Sequence, residues 1–140
     1  MIGPSRTLSS ADRAASGIGP ASRREPVRPR DLEQLERFQA LIGQWVGWRD
    51  ASGKRAFAIP LEQCSRDEQV TRLDKVSMAD YLAEQQLDSP RLQWLIDYSC
   101  RDDYGLTTQQ TSAWAGLFYF CSRVPAPGED SQPFITWPEG

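Results

Sequence analysis

Four consecutive residues, Arg101, Asp102, Asp103 and Tyr104, put a guanidinium, two carboxylates and a phenol between two apolar runs, "WLIDYSC" and "SAWAGLFYFC". Two arrangements fit that placement. In one, the run is a solvated turn between antiparallel helices. Arg101 then caps carbonyls and an aspartate sits near the next helix start, each worth a few tenths to about 1 kcal/mol. In the other, the apolar flanks enclose the turn. Arginine then clamps one aspartate in a charge-assisted fork. The second aspartate and Tyr104 are left to face a cavity, a substrate or another segment.

The rest of the composition limits the chemistry. Histidine is absent. That removes the commonest general base near neutral pH, and with it Ser–His and Cys–His nucleophile pairs within the chain. The separations of Cys64, Cys100 and Cys121 match no zinc-ligand pattern. Cys100 and Cys121 sit inside apolar runs and read as small buried hydrophobes of a reducing, cytoplasmic compartment. The net charge of −3 gives no broad attraction to nucleic acid. No run reaches the roughly 18 apolar residues of a membrane span.

Helices must position these groups. Asp31 is a suitable N-cap, and Leu32, Leu35, Phe38, Leu41, Ile42, Trp45 and Val46 then recur at helical spacing to about Asp50. Gly53 marks a turn, and "RAFAIP" a short extended piece. Residues 66–74 form a short polar helix. Ser77 with Asp80 resembles a capping box, and Ser89-Pro90 is a second start signal. Leu92, Leu95, Ile96, Ser99 and Cys100 give the next apolar stripe, with Trp94 and Tyr98 beside it. Gly105 suits the left-handed position that ends a helix. Thr107 or Thr108, with Gln110, opens the last helix. There Ala113, Trp114, Leu117, Phe118 and Cys121 line one side, and Tyr119 and Phe120 widen the apolar surface. A helix apolar nearly all round needs neighbours on several sides. Phe134-Ile135-Thr136-Trp137 is a candidate strand.

The expected fold is mainly α, with at most one small sheet or hairpin formed by residues 55–60 and 134–137. Residues 1–30 are a different material. They hold no aromatic residue, and six arginines face two acids, giving +4, whereas residues 31–140 carry −7. Such a segment cannot offset its ordering entropy by burial, so it is expected to be disordered. "GIGPAS" within it lacks the strand and the third glycine of a dinucleotide fingerprint.

"SPRLQWLIDYSCRDDYGLTTQQTSAWAGLFYFCSR", with "ITWPEG" after it, resembles the substrate-domain segment of bacterial flavin-containing, amine-oxidase-like oxidoreductases. The resemblance runs from about Asp31 to the end. "FAIP", Arg66-Asp67 and "LDKVSMADYL" fit the same segment, and "DYSCRDDYG" through "SAWAG" is its most specific part. The resemblance implies a parent α/β FAD-binding fold and FAD-dependent oxidation. The glycine-rich FAD fingerprint of that family is not in this chain. The expectation is therefore a fragment, inactive alone and binding no FAD by itself, whose partner is the missing FAD-binding domain. Arg101, Asp102, Asp103, Tyr104, Trp114, Tyr119 and Trp137 would then be substrate-pocket or interdomain residues. The competing expectation is a stand-alone helical interaction module that self-associates through the apolar helix 107–123.

Overall fold

The computed structural model describes residues 26–125 and 128 of the chain. Among these, five α-helices and two 3-10 turns follow one another and no strand forms, in accord with the mainly α expectation. The candidate strand at 134–137, and most of the arginine-rich segment, lie outside the described residues.

Helix α1 spans Pro29–Gly47. It starts two residues before Asp31. Proline at the first helical position loses no needed donor. Asp31 acts from inside the helix instead, accepting the Arg28 N–H at 3.1 Å. Pro29 and Arg30 thus belong to the helical unit and not to the arginine-rich segment. The expected extended piece after α1 is reduced to a single antiparallel bridge, Arg49 to Arg55. It closes a turn organised by Asp50, whose carboxylate accepts the Ser52 and Lys54 N–H groups at 2.8 and 2.9 Å and the Ser65 hydroxyl at 2.5 Å.

A 3-10 turn at Leu61–Gln63 leads to the short helix α2, Glu68–Thr71, which runs into a second 3-10 turn at Arg72–Lys75. Helix α3, Met78–Glu84, starts at Ser77, whose side chain accepts the Asp80 N–H. Helix α4, Pro90–Tyr104, starts at Ser89 as its serine-proline pair predicts, and ends at Gly105 with φ 67°. The Gly105 N–H returns to the Arg101 carbonyl at 2.9 Å, the single bond of a left-handed helix terminus.

Helix α5, Ala113–Cys121, starts later than the Thr107 signal predicts. Thr107 and Gln110 do pair, Gln110 Oε1 accepting the Thr107 N–H at 3.1 Å. They close one isolated turn, because the Thr111 carbonyl is taken by the Met78 N–H at 2.8 Å. The Val76 carbonyl accepts the Ala113 N–H at 2.8 Å in return. Backbone pairing with the start of α3 therefore displaces the helix start to Ser112, which caps α5 through the Ala115 N–H at 3.1 Å.

The starts of α3 and α5 are thus tied together, and α5 becomes the central helix. It packs against α1, α3, α4 and the 3-10 turn Arg72–Lys75. Its broad apolar circumference is satisfied from within this chain and not by neighbours outside it. Phe120 meets Phe38 edge-on with centroids 5.1 Å apart. Leu117 is fully buried with Ile96, Met78 and Val70. Burying side chains of this size stabilises by about 1.5–3 kcal/mol each.

Candidate functional site

The predicted residues of the α4–α5 hairpin fall into two groups. Arg101, Asp102 and Asp103 lie in the last turn of α4 and not in the connecting turn, and all three are exposed. Arg101 takes its partner one turn back: its Nε donates to Asp97 at 2.6 Å, so neither neighbouring aspartate forms the expected fork. Asp97, not singled out from the sequence, is the organising acid. Its other oxygen accepts the Thr108 N–H at 3.0 Å and ties the connecting turn to α4. Partial burial pushes the Asp97 carboxyl up, but the bonds from Arg101 and Thr108 outweigh it, leaving the group below its ordinary value.

Tyr104 turns inward. Its hydroxyl donates to the Ala115 carbonyl at 2.7 Å. Burial, and secondarily the Asp103 charge, push its phenol up to about 12. Tyr104 is therefore a structural clasp between the two helices and does not face an open cavity. Trp114 is half-buried next to that contact. It stacks on Phe118 at 5.1 Å and meets Phe57 at 5.6 Å. Phe57 in turn meets Trp45 at 5.8 Å, which places Trp114 inside an aromatic row that runs from Phe118 to Trp45. Tyr119 is half-buried against Phe120 at 5.0 Å. Trp137 lies outside the described residues.

The hairpin thus presents an exposed acidic end, Asp102 and Asp103, and a half-buried aromatic flank, Trp114, Phe118 and Tyr119. Every residue from Ala113 to Ser122 is at least half-buried, so α5 offers little surface for self-association. The exposed aromatic surface is on α4. Trp94, Leu95 and Tyr98 are 41%, 40% and 51% exposed, and the two rings stack at 5.6 Å. Leu95, expected on the buried stripe, lies outside it. The i, i+4 spacing of Trp94 and Tyr98, off the Leu92–Ile96–Cys100 line, was the signal available for this surface.

An open groove of about 210 Å³ lies between α1 and the α3–α4 connection, lined by Arg37, Ala40, Leu41, Gln44, Gln85 and Leu87. That is below the roughly 300 Å³ at which small-molecule sites begin. Arg37 is already used there, donating to the Gln85 carbonyl at 2.8 Å. Among the described residues no group of three or more cysteines and carboxylates could hold a metal, and Cys64, Cys100 and Cys121 are free and buried. No helix among them is long and apolar enough to cross a membrane.

No family profile, curated protein or solved structure matches the chain.

Proposed function

We propose that this helical unit is the substrate-domain portion of an FAD-dependent, amine-oxidase-like oxidoreductase, with the flavin held by a separate α/β domain. The observation that carries the reading is the segment "DYSCRDDYG" through "SAWAG". It is the part most like that family, and it folds as one closed hairpin, sealed by Asp97 to Thr108 and Tyr104 to Ala115. Asp102 and Asp103 leave exposed carboxylates at the end of that hairpin, Asp103 beside the Tyr104 hydroxyl.

In such an enzyme the flavin, when bound, accepts the hydride from the substrate carbon. This chain's share is binding and orientation. Asp102 and Asp103 are acceptors suited to a cationic amine. Trp114, Phe118 and Tyr119 provide an apolar wall. Residues 31–140 carry −7, which opposes rather than attracts the pyrophosphate of FAD, within a screening length of about 8 Å. The flavin domain must therefore supply its own glycine turn and helix N-terminus.

The test is the coding sequence on both sides of this chain. The reading expects a frame encoding a strand, a G-x-G-x-x-G turn and a helix. Flanks without such a frame overturn it.

A second reading, a stand-alone helical interaction module, is favoured by one specific observation: the central helix α5 finds its neighbours within the chain, so the described unit has its own core. A cooperative melt of the isolated protein, with a tight interaction partner and no flavin domain encoded nearby, would select this reading.

A further inference from the structure

Helix α1 is held in two different ways along its length. From Phe38 on the hold is apolar: Phe38 and Val46 are buried in the core, and Leu41, Ile42 and Trp45 pack against it. Before Phe38 it is mostly polar. Leu32 is 52% exposed, and of the apolar side chains in residues 29–37 only Leu35 packs against the core. The other ties run to the start of α4 and to the connection before it. Arg30 donates to both oxygens of Asp88 at 2.6 and 2.7 Å. Buried Gln34 uses both ends of its amide. Its Nε2 donates to Asp88 at 2.6 Å, and its Oε1 accepts the Ser89 N–H at 2.6 Å. The Ser89 hydroxyl donates to Asp31 at 2.7 Å, and Arg37 donates to the Gln85 carbonyl at 2.8 Å.

Asp31, on α1, and Asp88, just before α4, thus accept bonds across the junction from opposite sides. They also offset the cations gathered there. Among the described residues, Arg28 and Arg91 act on Asp31, and Arg30 acts on Asp88. Protonating both acids weakens the bonds across the junction and leaves Arg28, Arg30 and Arg91 without those two anions. We propose that the first two turns of α1 are a latch, which acid releases from the start of α4 while Phe38 and the rest of α1 stay seated on the core.

The bonds favour the charged acids. The Ser89 hydroxyl first, then the Arg28 N–H, hold the Asp31 carboxyl below its ordinary value of 3.8. Gln34 does the same for Asp88, with Arg30 adding to it against a small cost of desolvation. The latch is therefore fully held above the ordinary value and loosens as pH falls through the lowered folded values. Asp88 is exposed, so salt also weakens its pairing with Arg30. Segments with few buried apolar contacts are those that open ahead of the core. This inference does not rest on the flavoenzyme reading.

Amide hydrogen exchange of the full chain, read by NMR and corrected for the intrinsic pH dependence, tests it. Melts followed by circular dichroism confirm that each variant folds. Between pH 7 and about pH 3 the amides of residues 33–37 and of Ser89 should lose protection, while those of Ile96 and Leu117 keep theirs. At pH 7, Asp31→Asn combined with Asp88→Asn should raise exchange of the same latch amides at least about tenfold. Glu36→Gln, which removes a charge from the exposed side of the same helix, should change it by less than about twofold. Latch amides that stay protected in the double variant overturn the proposal. So does an equal response to Glu36→Gln, or loss of latch and core protection in one step as the pH falls. The wild-type acid series decides alone if the double variant does not fold.

Discussion

The Tyr104 hydroxyl donates a 2.7 Å hydrogen bond to the Ala115 carbonyl, joining the last turn of α4 to the first turns of α5. Tyr104→Phe removes only that donor. The expected loss is about 0.5–1.5 kcal/mol, read as a lower denaturation midpoint with an unchanged denaturant slope. The bond also sets an alkaline limit. The phenol is pushed up to about 12 from an ordinary value of 10.0. The folded state then holds its proton longer than the unfolded chain. This contribution is full below the ordinary value and is lost as pH rises towards about 12. Tyr104→Phe should be less sensitive to pH in that window, as followed by tyrosinate absorbance and melting temperature.

Asp97 behaves in the opposite sense. Its carboxyl lies below the ordinary value despite partial burial, because Arg101 and the Thr108 N–H bind the charged form. Its contribution is present above about pH 4 and is lost as pH falls through the folded value. Asp97→Ala should cost about 1–3 kcal/mol near neutral pH. Asp97→Asn keeps an acceptor for Thr108, so it should cost less and flatten the acid side of the stability profile. An unchanged acid limb in Asp97→Asn would show that the turn is held by something else.

Helix identities were legible where a local signal acts alone. Ser77 and Ser89 start their helices as read, and Gly105 ends α4 in the left-handed region. The misreadings arose where a distant backbone group competes. The Thr107–Gln110 pair looks like a helix start, but the hydrogen bonds between residues 76–79 and 108–113 take those groups first. Arg101 has acids at one and two residues' distance, yet only Asp97, one turn back on the same face, is in reach. The central position of α5 was hinted at by its apolar circumference. That its neighbours lie in this chain depends on long-range packing of α1, α3 and α4, which no local spacing carries.

Among the described glycines, Gly116 is the one packed tightly against a neighbour. A Cβ there would lie 2.7 Å from Met78 Sδ and 2.8 Å from Cγ, and Met78 is fully buried. Gly116→Ala gains about 1 kcal/mol of helix propensity but overpacks the α3–α5 contact by about 1–3 kcal/mol. A net loss is expected. In the background of Met78→Ala, which vacates the space, the same change should become stabilising. Additive effects of the two substitutions would contradict this packing.

Asp102 and Asp103 separate function from stability. Both are exposed in the last turn of α4. Alanine at Asp103 should change stability by no more than about 0.5 kcal/mol in thermal melts. In a flavoenzyme of the kind proposed, the same change should lower substrate affinity or turnover while leaving flavin content intact. Unaltered kinetics would remove Asp103 from the substrate rim.

Flavin content separates the proposed role, the flavin-free helical portion of a flavoenzyme, from its alternatives. The chain should be purified alone and also co-expressed with the flanking frame that the proposal requires, with flavin absorbance recorded for both. The chain alone should be colourless, and the complex should be yellow and retain this chain at one copy per flavin. Stoichiometric FAD on the isolated chain would contradict that role, as would a flavin-loaded partner that leaves this chain unbound.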